Sequence, residues 1–72
     1  MTGEQLLLWR HARRLSKAAL GRLLRVGPKS IMNWERGLYR LPDDLPARLQ
    51  ALDDAAVKYA LWTPEGGQHA KG

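Results

Sequence analysis

The dipeptide Gly27-Pro28 constrains this chain more than any other feature, because a helix stops at it and a new one starts on it. Glycine can cap, and proline is tolerated at the first helical position because its missing N–H had no intrahelical partner anyway. Other punctuation lies close by. Thr2 with Gln5 three residues later has the spacing of a capping box, and Ser16 is a good N-cap for a second helix. Gly37 ends a third helix in the manner of a left-handed C-cap. Between these marks the apolar residues fall at helical spacing: Leu6 and Trp9 in residues 3–13, Leu20 and Leu24 in residues 17–24, Ile31 and Trp34 after Pro28. Pro42 and Pro46 bracket a polar turn, Asp43-Asp44, and one of them starts a last helix. Its apolar positions Leu45, Leu49, Leu52, Ala56, Tyr59 and Ala60 run to about Trp62. β-Branched residues are scarce and never alternate, so no strand is expected. The pattern predicts an all-α fold, a compact bundle of four or five helices over residues 1–62. Thr63-Pro64-Glu65-Gly66-Gly67 cannot continue the last helix, and residues 63–72 read as a disordered tail.

Several function classes are excluded on chemical grounds. A chain of 72 residues is one small domain that buries only about 60% of its unfolded surface, which leaves little room for a substrate pocket. It has no cysteine, hence no disulfide, Cys-ligated zinc or thiol chemistry. His11 and His69 cannot assemble a metal site without several carboxylates, so neither metal nor cofactor is expected. The longest apolar run, Leu6 to Trp9, is too short for a membrane span or secretory signal, and a cytoplasmic location is expected. Asp43/Asp44 and Asp53/Asp54 resemble paired carboxylates, but adjacent helix residues point about 100° apart and do not converge on one atom. They read as N-terminal helix charges and a solvated face. With no nucleophile–base–orienter set and no Gly-rich phosphate loop, the chain is not expected to be an enzyme.

Charge is the positive clue. The chain carries Lys+Arg 12 against Asp+Glu 7, a net +5, and the excess is concentrated at one end. Residues 1–40 hold nine basic residues against Glu4 and Glu35, or +7. Residues 41–72 hold Arg48, Lys58 and Lys71 against Asp43, Asp44, Asp53, Asp54 and Glu65, or −2. The first half presents a field suited to a polyanion, although a solvated Arg-rich helix surface would look the same.

The segment from Leu15-Ser16-Lys17 through Gly21, Leu24, Val26 and Ile31 to Trp34-Glu35-Arg36-Gly37 resembles the helix-turn-helix of the Cro/C1-type (XRE) family of DNA-binding proteins, the lambda-repressor-like fold. The match in pattern covers about residues 3–52, with Arg10 six residues before Ser16 where the family has an arginine. Gly21 has a physical reason independent of the family: two short helices cross closely only where the contact residue is small. A glycine inside a helix costs roughly 1 kcal/mol relative to alanine. Two positions depart from the family pattern, Arg14 and Arg25, where turns usually carry Gly or Asn. Either those turns relax, or the cations offset a left-handed backbone by sitting near helix C-termini.

The resemblance implies that the helix starting at Pro28 enters the major groove of double-stranded DNA. Lys29 would then reach guanine or a phosphate, and Asn33 on the same face would bridge to adenine. Ser30 would donate to a phosphate or bond its own helix. Lys17 opens the second helix at the position that contacts backbone phosphate, and Arg36 and Arg40 flank the groove as clamps. Arg13, Arg14, Arg22 and Arg25 add field without an assigned contact. Arg10 and Glu35 are read as a structural salt bridge tying the first helix to the end of the third. Trp9 and Trp34 are read as core.

A single recognition helix with two base readers discriminates weakly, so a homodimer on an inverted-repeat operator is expected, with Val57, Leu61 and Trp62 at its interface. The expected function is a transcriptional regulator, a repressor, and by analogy of size one of phage, plasmid or anti-CRISPR-associated type. The alternative is an antitoxin that binds a partner protein and autoregulates its promoter. The tail, about ten residues of low apolar content, is short for wrapping a toxin.

Overall fold

The computed structural model describes residues 1–60 of the 72-residue chain, and these form four helices with no strand among them. Helix α1 spans Gly3–Ala12 and begins on a complete capping box: Gln5 N–H donates to the Thr2 hydroxyl at 3.1 Å, and Thr2 N–H donates to Gln5 Oε1 at 2.9 Å. Helix α2, Lys17–Leu24, is capped by Ser16, whose Oγ accepts from Ala19 N–H at 3.0 Å. Helix α3, Pro28–Glu35, starts on its proline with Gly27 as the flanking residue. Helix α4, Leu45–Tyr59, carries Pro46 in its first turn, where no backbone donor is needed.

One residue set holds the four together. Leu6 of α1, Leu20 and Leu24 of α2, Ile31 of α3, and Leu45 and Leu49 of α4 are buried in a single cluster, with Trp9, Leu15, Val26, Trp34, Leu41 and Leu52 packed against it. Burying each such aliphatic side chain contributes about 1.5–3 kcal/mol, which is what holds helices as short as eight residues in place. Pro28 thus lies at the start of a helix whose inner face is anchored by Ile31 and Trp34 and whose outer face carries Lys29, Met32, Asn33 and Arg36.

The connections are tight. Arg14 and Arg25 both adopt left-handed backbone, with φ of 56° and 63°, so these turns do not relax around their non-glycine residues. Gly37 takes the same conformation after α3, at φ 76°. Gly21 is buried where α2 meets the α2–α3 turn; a Cβ there would sit 2.6 Å from the Val26 carbonyl oxygen. Sequence pattern did not single out a second such approach, at Gly3. A Cβ at Gly3 would strike the Trp34 carbonyl oxygen and lie 2.7 Å from that of Glu35, so the start of α1 rests on the end of α3.

The last helix is shorter than its apolar pattern predicts. It ends at Tyr59, and Ala60 closes it in left-handed backbone with its N–H donating to the Ala56 carbonyl. Among the described residues Ala56 is the last buried one, and Val57 and Tyr59 are 63% and 65% exposed. Leu61, Trp62 and the segment 63–72 read as a tail lie outside the described residues. No described helix is long and apolar enough to cross a membrane.

Candidate nucleic-acid interface

Six of the seven arginines and both lysines of residues 1–40 belong to α1, α2, α3 or the turns beside them, yet they divide sharply by what they touch. Three arginines of the chain are turned inward. Arg10 makes a two-pronged ion pair with Glu35, Nε to Oε2 at 2.7 Å and Nη2 to Oε1 at 3.0 Å, and donates from Nη1 to the Leu15 carbonyl at 3.0 Å. The two side chains are 7% and 5% exposed. The hydrogen bond to Glu35 holds the Arg10 guanidinium above its ordinary range; burial works against this and the Glu35 charge adds to it. The pair joins α1 to the end of α3.

Arg13 and Asp53 form the second inward pair, with both bonds at 2.7 Å and both side chains 9% exposed. Arg13 also donates to the Trp9 carbonyl at 2.8 Å, and its guanidinium lies 4.0 Å from the centre of the Trp9 ring. This corrects two readings made from sequence: Arg13 is no part of a diffuse field, and Asp53 is no part of a solvated face. The residues are forty positions apart, and no local spacing links them. Of the two neighbours, Asp54 alone is exposed, and it accepts from Gln50 Nε2 at 3.1 Å. Arg48 is the third inward cation. It donates to the Leu24 carbonyl at 2.6 Å and thereby satisfies a free acceptor at the end of α2 from the side of α4.

Other cations point outward. Lys17, Arg22 and Arg25 from α2 and its C-cap, and Lys29 and Arg36 from α3 and its C-cap, are exposed and have no side-chain partner among the described residues. Arg14, in the turn before α2, is likewise exposed and without a partner there. Lys17 and Arg36 meet across a groove of about 300 Å³ lined also by Leu7, Met32 and Glu35, so the start of α2 and the end of α3 share one rim. Pro28 is exposed, while Ser30 and Asn33 are half-buried, and neither polar side chain has a partner among the described residues. Lys29, Asn33 and Arg36 recur at helical spacing and lie on the outer side of α3.

Arg40 stands apart from this set. It lies in the α3–α4 loop and donates to Asp43 Oδ1 at 3.3 Å, in a pair 86% and 89% exposed that solvent weakens. Beside it Leu38 and Tyr39 are 62% and 64% exposed, so Tyr39 does not stack on the domain. His11 is exposed, with its Nε2 3.3 Å from Arg10 Nη2. Among the described residues no three His, Asp or Glu side chains gather to hold a metal ion. No family model, curated protein or solved structure matches the chain.

Proposed function

We propose that α2 and α3 form a helix-turn-helix of the Cro/C1 type, and that the chain is a sequence-specific double-stranded DNA-binding regulator, acting as a repressor in the cytoplasm. The observation that carries this reading is the sorting of cations. Where an arginine can be used by the fold, a carboxylate or carbonyl meets it; on α2, α3 and their caps Lys17, Lys29 and Arg36 are left facing outward without partners among the described residues. A folded domain gains nothing from like charges crowded on one face, whereas a polyphosphate neutralises them and releases counterions.

In this reading α3 lies in the major groove, whose width of about 12 Å accepts one helix. Lys29 and Asn33 contact base edges, because both have free donors on the outer side of α3. Lys17, Arg36 and Arg40 hold the phosphates on either side, Ser30 donates to a phosphate, and Pro28 starts the helix without a side chain that can read bases. The Arg10–Glu35 pair fixes the angle at which α3 is presented. Two copies joined through α4 bind an inverted repeat with half-sites about 34 Å apart. Val57 and Tyr59, large apolar side chains left 63% and 65% exposed, favour such a contact.

Selection of bound duplexes from a random oligonucleotide pool tests this directly. The expected outcome is enrichment of one inverted repeat, with binding that falls steeply as salt rises. Retention of no duplex at low salt, or equal retention of all sequences, would overturn the reading.

A further inference from the structure

We infer that Arg14 and Arg25, the two arginines held in left-handed backbone at either side of α2, are phosphate-contacting residues in their own right; this rests on the DNA-binding reading above. Their backbone is the starting point. A side chain with a Cβ is disfavoured at φ of 56° and 63°, and glycine would occupy either position without strain. Strain of this kind persists where the surrounding structure over-determines it, and it clusters at binding and catalytic sites.

Beyond the weak attraction of a cation for a helix C-terminus, no hydrogen-bonded use for the two guanidinium groups is found at the helix ends they adjoin. At the end of α2 the Leu24 carbonyl already accepts from Arg48, which reaches it from α4 at 2.6 Å. The Gly21 and Arg22 carbonyls accept backbone N–H groups from Val26 and Arg25, at 2.8 and 3.3 Å. At the end of α1 the Arg10 carbonyl accepts from the Arg13 and Leu15 N–H groups and the His11 carbonyl from the Arg14 N–H, while the Leu15 carbonyl is taken by the Arg10 side chain. The side chains of Arg14 and Arg25 are exposed and make no hydrogen bond or ion pair among the described residues.

Their placement matches a duplex partner. Arg14 precedes the cap of α2 by two residues and so lies at the end of α2 that carries Lys17; Arg25 precedes Pro28 by three and lies at the end that leads into α3. The pair therefore extends the cationic surface beyond both ends of α2, and each guanidinium can donate two parallel bonds to one phosphate.

The test uses the full chain and a selected duplex, with affinity measured over a range of salt and melting followed in parallel. Arg14→Gly and Arg25→Gly are each expected to raise the melting temperature and to weaken binding several-fold, with the log–log salt slope shallower by about 1.8 per variant, about 0.9 for each protomer of the bound dimer. Arg14→Lys and Arg25→Lys should keep the slope. Lys58→Ala removes one exposed charge from α4 and should leave the slope unchanged. Glycine variants with unaltered affinity and slope, a slope change matched by Lys58→Ala, or a lowered melting temperature would overturn this inference alone. A wild-type chain that binds no duplex would overturn the DNA-binding reading and this inference with it.

Discussion

Arg10 and Arg36 stand at the two ends of the same contrast. The first is sealed at the α1–α3 junction with its charge matched atom for atom by Glu35; the second, next in sequence to Glu35, faces outward at the rim of a groove with Lys17. Identical side chains are set to different tasks by what the fold brings against them. The seam holding Arg10, Arg13 and Arg48 joins α1, α3, α4 and the end of α2, and each of those cations is an element of stability. The outer face of α2 and α3 holds cations that have no side-chain partner among the described residues. The count of basic residues therefore overstates the cations available to a partner, since three arginines are already engaged, while the two ion pairs remove cation and anion together and leave the net charge as it was.

The contrast is most easily broken at the seam. Replacing Glu35 with alanine leaves the Arg10 guanidinium buried without a carboxylate, with the Leu15 carbonyl and the His11 ring nitrogen beside it, and is expected to cost about 3 kcal/mol, a large share of the stability of so small a domain. Thermal or denaturant unfolding reads this, and an unchanged midpoint would show that the pair does not hold α3. Asp53→Ala follows at about 2 kcal/mol, less because Arg13 keeps the Trp9 carbonyl and ring.

Changes on the outer face should move the opposite observable. Lys29→Ala and Asn33→Ala are each expected to weaken binding to the selected operator by about 1–3 kcal/mol while shifting stability by less than about 0.5 kcal/mol. Equal binding by both variants would remove the two base readers. Arg40→Ala gives the smallest effect. Its pair with Asp43 is nearly fully exposed, so melting should not move, and duplex affinity should fall only at low salt.

Much of the helical order is legible along the chain because its signals are local. Thr2 with Gln5, Ser16, and Gly27-Pro28 each act within a few residues, through backbone groups that a helix end leaves unpaired. The buried set Leu6, Leu20, Leu24, Ile31, Leu45 and Leu49 follows from periodicity for the same reason. Periodicity overreached in α4, where the helix closes at Ala60 and the apolar Val57 and Tyr59 that follow Ala56 are exposed. Asp53 was misread because its partner lies forty residues away, and its adjacency to Asp54 suggested a shared solvated face. Gly3, at the start of a helix, gave no sign of the carbonyls of Trp34 and Glu35 that crowd it.

The sequence by itself determined where helices begin and break, which stripe of each is apolar, and that positive charge gathers in residues 1–40. These depend on capping, side-chain spacing and composition, all properties of neighbours in the chain. Tertiary structure alone decided which cations are consumed by the fold and which remain outward, and that Arg14 and Arg25 keep left-handed backbone. An ion pair needs its two groups within a few ångströms, and only packing of α1 against α3 and α4 brings Glu35 to Arg10 and Asp53 to Arg13.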